Sequence, residues 1–369
     1  MARYPCSSNL RFTLFLLCML INLAATDHIP LKNPPPLLVF GDSTVDPGNN
    51  DYIITTELSN FCPYGIDFPH HIPTGRFSNG RLVPDFAASY ISGTNKYVRA
   101  YLDPTLTLHD FLEGVSFASA GSGYDPATAI ENGALNIQMQ FNNLKAYRNK
   151  LEAAIGKTKA AEQIEKALFV ISAGTNDLTN YFQFRSIIHQ KYTVSGYKQF
   201  LLNQFKRFIQ DLLNFGAKNI FVINVPPAGC IPKAITFRPI FTNATAPFLS
   251  RGCVDSLTTI AAEFNQMIQN EVKAMQPSLG QRKIVYADIF TRFRDIIKNP
   301  DKFDFEVVNR GCCGTGLFEV STTCTILSGL CSNRSKYFFW DAIHPSEKGY
   351  SLLFEDLLPL IDSFLQDYD

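Results

Sequence analysis

"LLVFGDSTVDPGNN", Leu37–Asn50, is the stretch on which the fold is read. Four apolar residues, Leu37 to Phe40, stop at Gly41, Asp42 and Ser43, and Asp46, Gly48, Asn49 and Asn50 follow. A short apolar run bounded by turn residues reads as a buried strand. A turn is enough to explain the glycines and asparagines. A strand that ends on a serine also sets a hydroxyl at the lip of a sheet, where open α/β sheets bind their ligands. The rest of the chain decides between a plain turn and a nucleophile.

Outward from this strand, short apolar runs alternate with longer amphipathic segments. Strands are expected at Leu37–Phe40, Val115–Ala118, Leu168–Ser172, Ile220–Val225 and Lys283–Ala287. Helices are expected at Leu82–Ile91, Ile137–Ile155, Tyr197–Phe215, Ile260–Met275 and Pro345–Leu365, with Pro359 kinking or ending the last. In Tyr197–Phe215, for instance, Phe200, Leu201, Phe205, Phe208, Ile209 and Leu212 recur at helical spacing. Strand–helix alternation predicts a parallel sheet covered on both faces. No repeat, low-complexity block or linker interrupts residues 27–369, which read as one domain.

Composition is globular, with 46% hydrophobic and 18% charged residues. Lys+Arg and Asp+Glu are both 33, so no net charge recruits nucleic acid or an anionic membrane. Residues 1–26 read as a secretory signal peptide: Arg3 and Arg11, the apolar stretch Phe12–Ala24, then small residues. That stretch is too short for a membrane anchor, which needs about 20 apolar residues. The expectation is a secreted, extracellular chain beginning near Asp27 and carrying no transmembrane anchor. Cys6 and Cys18 would leave with the leader, and the seven cysteines that remain would form disulfides with at least one left over. A zinc site within Cys312–Cys331 is the alternative, but it lacks paired C-x-x-C spacing and a histidine. Sequons at Asn243 and Asn333 mark expected glycosylation sites.

A serine is a weak nucleophile until a base takes its proton. Of six histidines, His344 has the most informative setting, "FFWDAIHPSEKGY". Asp341 stands three residues before it and Pro345 immediately after. Pro345 biases His344 to extended backbone and favours a helix start, so His344 is expected at the mouth of the last helix. Asp341 would receive one ring N–H, leaving the other nitrogen as an acceptor. A capping histidine beside a surface aspartate would satisfy the same spacing. The other expected strand ends carry "SAGSG" (Ser119–Gly123), "AGTND" (Ala173–Asp177) and "PPAGC" (Pro226–Cys230).

The ordered blocks "VFGDSTVDPGNN", "PTGRFSNGR", "GVSFASAGSG", "ISAGTNDL", "GCCGTG" and "FFWDAIHPSEKGY" resemble the plant-type GDSL esterase/lipases of the SGNH hydrolase superfamily, from Val39 to about Tyr350. The resemblance implies a three-layer α/β/α sandwich with a mostly parallel central sheet. It assigns Ser43, Asp341 and His344 as the catalytic residues. The oxyanion hole would be the backbone N–H of Ser43, the N–H of Gly121 and the side-chain amide of Asn176. It implies no metal and no organic cofactor. Thr44 stands where the family name has Leu, and Ser116 and Ala120 stand where Asn and Gly are common. Asp42, Asp46, Asn49, Arg76, Asn79 and Asp177 are expected to brace loops or pair charges.

The implied function is hydrolysis of a carboxylic ester (a lipid, an acylated sugar or a small ester) through an acyl-enzyme on Ser43. An acyltransferase would use the same residues with an alcohol in place of water. A lipid- or glycan-binding protein without turnover is the reading from a different class.

Overall fold

Alternate residues of the first strand, β1 (Leu37–Gly41), are buried in two different cores. Leu38 and Phe40 pack with one cluster, Leu37 and Val39 with the other, as the two-residue period of a strand requires. The computed structural model describes residues 6, 31, 33–181, 191–237 and 251–366. Its other strands are β2 (Arg99–Ala100), β3 (Val115–Ser116), β4 (Leu168–Ser172), β5 (Asn219–Ile223), β6 (Lys283–Ala287), β7 (Val307–Gly311) and β8 (Tyr337–Phe339). Six of them form one sheet in the order β2-β3-β1-β4-β5-β6, and all its pairings are parallel.

Helices cover both faces. The first core joins Leu38, Phe40, Phe169, Ile171, Ile220 and Val222 to the helices Ile137–Ile155, Lys157–Lys166, Val194–Phe215 and Asp255–Met275. The second joins Leu37, Val39, Val170, Phe221 and Ile223 to Val83–Ser92, Phe290–Lys298, Glu347–Glu355 and Leu358–Leu365. This is the expected three-layer α/β/α arrangement. Each fully buried large apolar side chain contributes about 1.5–3 kcal/mol. The helix Val194–Phe215 illustrates the local logic: Thr193 caps it by accepting from Gly196 N, and Leu201, Phe205, Ile209 and Leu212 are buried at helical spacing. It stops at Gly216, whose φ of 120° suits glycine.

Register places the site. Gly41 lies opposite Ser172, Ser172 opposite Ile223, and Ile223 opposite Ala287. The segments that follow β1, β4, β5 and β6 therefore leave the sheet at one level. β1 is flanked by β3 and β4, so the order reverses there and a crevice opens beyond its carboxyl end. β7 and β8 form a separate parallel pair that carries the chain to Trp340–His344.

β5 ends two residues short of the expected Val225, the helices expected from Tyr197 and Ile260 start at Val194 and Asp255, and two further differences lie beside the site. β3 ends at Ser116, although Phe117 N still donates to Val39 O and Ser119 N to Gly41 O, so backbone pairing runs on past the regular strand. The last helix is two helices, Glu347–Glu355 and Leu358–Leu365, with Pro359 in the first turn of the second. The first of them is capped by Ser346, while Pro345 bridges to Phe339. His344 thus sits in a turn ahead of the helix.

Disulfides join Cys230 to Cys253, Cys312 to Cys331 and Cys313 to Cys324. The last two take up the four cysteines in which the sequence left a zinc site open. Cys6 is joined to Cys62 in the full chain. Removal of residues 1–26 as a leader would leave Cys62 without that partner. Apart from Cys6, residues 1–26 lie outside the described residues, as does Asn243. Asn333 is exposed. No helix of the described residues is long and apolar enough to cross a membrane.

Arg76 and Asp85 form a buried pair, with Nε and Nη2 of Arg76 at 2.8 and 2.7 Å from the carboxylate. Asp85 also accepts from Leu82 N at the start of the helix Val83–Ser92. Removing one partner strands a buried charge. Arg76→Met is expected to lower unfolding stability in urea by about 3–5 kcal/mol at neutral pH, with part restored in Arg76→Met/Asp85→Asn.

Candidate active site

Ser43 follows β1 in a turn whose shape depends on close packing. A Cβ on Gly41 would lie 1.8 Å from Ser172 O, and φ there is 139°, so only glycine fits. Gln140 clamps the same residue, accepting from Gly41 N and donating to Gly41 O, both at 2.9 Å. Asp42 Oδ1 accepts from the N–H and hydroxyl of Thr44 at 3.0 and 2.7 Å. Burial pushes the Asp42 carboxyl up, against these two donors. The Thr44 hydroxyl is also 2.9 Å from Ser172 Oγ. Threonine in place of the usual leucine thus ties the serine turn to the end of β4.

His344 lies between Ser43 and Asp341. Its Nε2 is 2.7 Å from Ser43 Oγ, and its Nδ1 is 2.8 and 3.0 Å from the two oxygens of Asp341. A carboxylate accepts only, so Nδ1 carries the proton and Nε2 accepts from the serine hydroxyl. Asp341 also accepts from Ile343 N, His344 N and the Tyr64 hydroxyl, at 2.8, 2.7 and 2.7 Å. Burial and the neighbouring Asp341 charge push the Tyr64 phenol well above its usual range, so it stays a donor. Its oxygen accepts from Ser321 N at 2.8 Å. Phe77 covers the imidazole, ring centres 4.7 Å apart. All three residues are buried: Ser43 is 7%, His344 3% and Asp341 0% exposed.

Gly121 and Asn176 line the same cavity as Ser43 and His344. Gly121 has φ of 86°, and a Cβ there would stand 2.7 Å from Asn132 Cβ. The backbone N–H groups of Ser43 and Gly121 donate to nothing among the described residues. Asn176 donates one amide hydrogen to Ser122 O at 2.8 Å, which fixes the group and leaves the other hydrogen. The turn is firm despite its departures from the common pattern. Ala120 N donates to Asp46 Oδ2, Asn50 Nδ2 to Ala120 O, and the Ser116 hydroxyl to Val45 O.

The remaining sequence candidates lie outside this cavity. Asp46 Oδ1 accepts from Gly48 N and Asn49 N, and Asn49 Nδ2 donates to the carbonyls of Ser116 and Ala118. Asn79 binds Asp67 and Glu347 N. Asp177 accepts from the N–H groups of Tyr124 and Asp125. None of Asp46, Asn49, Arg76, Asn79 or Asp177 lines the cavity.

The cavity is about 350 Å³. Ile231, Ala234, Phe237, Leu257, Val320 and Ile343 supply its apolar lining. Glu57, Asn132, Thr175, Thr179, Asn180 and Lys233 supply its polar lining. Sequence reasoning overlooked Tyr64, Glu57 and Lys233. No pattern links Tyr64 to Asp341, 277 positions away.

The model of the GDSL-like lipase/acylhydrolase family matches residues 37–357. The chain is 46% identical over 335 residues to the GDSL esterase/lipase At5g45960 of Arabidopsis thaliana, covering 90% of this chain and 88% of that protein. It is 41% identical over 319 residues to At1g06990 of the same plant, also a GDSL esterase/lipase, covering 86% and 87%. Among solved structures, the lipase Lip_vut3 from a goat rumen metagenome aligns with TM-score 0.38 and 11% identity, covering 88% of this chain and 96% of that one.

Two buried carboxyls brace the Gly121 loop and Asn176. Burial pushes Asp46 up to about 6 and Asp177 up to about 7, against their backbone donors. Unfolded, each titrates near 3.8. Between those values the folded chain holds more protons, so these groups add stability that is lost as pH rises through 6 to 7. Asp67 and Asp103 shift downward, so their contribution is already complete above about pH 5. The melting temperature is expected to be higher at about pH 5.5 than at about pH 8. Asp177→Asn, less stable at every pH, should have the flatter profile by differential scanning fluorimetry.

Proposed function

The chain belongs to the GDSL-like lipase/acylhydrolase family, and we propose that it hydrolyses carboxylic esters through an acyl-enzyme on Ser43. The observation that carries this reading is the 2.7 Å contact from Ser43 Oγ to His344 Nε2, with His344 Nδ1 on Asp341. His344 takes the serine proton as Oγ attacks the carbonyl carbon. The carbonyl oxygen, now anionic, is held by the N–H groups of Ser43 and Gly121 and the free amide hydrogen of Asn176. As the intermediate collapses, the C–O bond to the alcohol breaks and His344 gives its proton to that oxygen. Water, deprotonated by the same imidazole, then releases the acid and restores Ser43. Asp341 keeps the tautomer and balances the imidazolium charge. That its relatives are named GDSL esterase/lipases supports the same reaction.

We place the chain outside the cell, on the strength of its leader-like first 26 residues and its disulfides. Exposed Asn333, within Asn333-Arg-Ser335, is the proposed glycan site of the described part of the chain.

Hydrolysis of p-nitrophenyl esters of graded chain length tests the reaction. Ser43→Ala is expected to lose about 10⁴-fold or more in kcat with its fold unchanged by circular dichroism. Asn176→Ala should lose about 10²–10³-fold. Wild-type turnover in either variant would remove that residue from the mechanism.

A further inference from the structure

The cavity at Ser43 contains two charged groups that the reaction above does not use. Glu57 is held beside Gly121: its Cγ lies 3.3 Å from where a Gly121 Cβ would stand. Its backbone is pinned at both ends, N to Thr55 Oγ1 at 3.1 Å and O from Asn50 Nδ2 at 2.9 Å. Its carboxylate makes no hydrogen bond or ion pair among the described residues. Lys233 opens the short helix Pro232–Thr236, and its N–H donates to Ala342 O at 2.8 Å, beside the His344 turn. Its ammonium likewise pairs with no carboxylate among the described residues. The two are close enough for Lys233 to ease the burial cost that pushes the Glu57 carboxyl up, yet they form no ion pair with each other.

Half-buried charges without partners cost free energy unless a ligand satisfies them. A carboxylate accepts hydrogen bonds and an ammonium donates them, so a hydroxyl suits both. A substrate group with a single charge would be attracted by one of the pair and repelled by the other, whereas a neutral hydroxyl is repelled by neither. Neutral groups that both donate and accept are the chemistry left. Ile231, Phe237, Leu257 and Val320 give the same cavity apolar lining for an acyl chain.

We propose that Glu57 and Lys233 form a polyol-binding subsite, and that the substrates are acyl esters of alcohols with several further hydroxyls, such as glycerol or a sugar. This rests on the ester-hydrolase reading. The hydroxyls of the leaving alcohol donate to Glu57 and accept from Lys233, while the acyl chain lies against the apolar lining.

The test compares three octanoate esters with one acyl chain: 1-monooctanoylglycerol, sucrose monooctanoate and ethyl octanoate. The wild type is expected to prefer at least one polyol ester over ethyl octanoate in kcat/KM, and the better of the two identifies the alcohol. Glu57→Leu and Lys233→Met should each lower that preference about tenfold, chiefly through KM, as loss of a hydrogen bond to a charged group predicts. Glu57→Gln, which still accepts from a hydroxyl, should keep most of it. A wild type active on ethyl octanoate without preference would overturn the subsite and leave the ester-hydrolase reading intact. A ratio unmoved in Glu57→Leu and Lys233→Met, whether or not both rates fall, would also overturn it. Inactivity of the wild type on all three and on p-nitrophenyl esters would overturn the hydrolase reading and the subsite with it.

Discussion

A buried carboxylate must be surrounded by donors, and Asp341 is where this chain meets that demand. Its four donors come from its own turn, Ile343 N and His344 N, from the His344 ring, and from Tyr64 in a distant loop. The first two bend the backbone back on the carboxylate. Trp340 N closes that bend by donating to His344 O at 2.8 Å. Tyr64 in turn takes Ser321 N, so the loops around residues 64, 321 and 341 share one network. Losing any donor leaves charge unsatisfied in a dry interior, which is far costlier than losing the same bond at the surface. The imidazole is therefore aimed by many constraints at once.

The sheet supplies the other half of the geometry. Parallel register brings the ends of β1 and β4 level, and the Gly41–Ser172 approach leaves no room for a side chain between them. Ser43, Gly121 and Asn176 come from three separate connections, yet each is tied back to the sheet or its neighbours. Thr44 reaches Ser172, Asp46 reaches Ala120, and Asn176 reaches Ser122. Groups held this way have little freedom to reorganise, which is what the proposed oxyanion role of Ser43, Gly121 and Asn176 would require.

Periodicity and turn chemistry made the central strands and long helices legible. Leu168–Ser172 and Ile137–Ile155 fall where expected, because each buries a strong apolar pattern; Lys283–Ala287 does so as well, with only Ile284 and Ala287 buried. β2 has two residues and β8 three, too few for any period to register. The break before Leu358 was legible through Pro359, but the cap was not, because Pro345 and Ser346 both suit a helix start. Ser43, Asp341 and His344 stood out because two of them share one short block and the third ends a strand. Glu57 and Lys233 did not. Each is an ordinary charge in a loop or short helix, and only the fold sets both in one cavity.

That contrast bears on what local sequence can encode here. The groups around the reacting atoms are fixed by short-range devices: an Asp-x-x-His turn, a glycine at positive φ, a serine one residue past Asp42. The lining farther out is assembled from side chains that never meet along the chain. Glu57 and Lys233 are 176 positions apart by their numbering. Neither side chain hydrogen-bonds to Ser43, His344 or Asp341 among the described residues, yet both line the cavity beside them. A fold of this kind can keep one constellation and vary its surroundings, so the chemistry is read from short blocks and the substrate from the cavity walls.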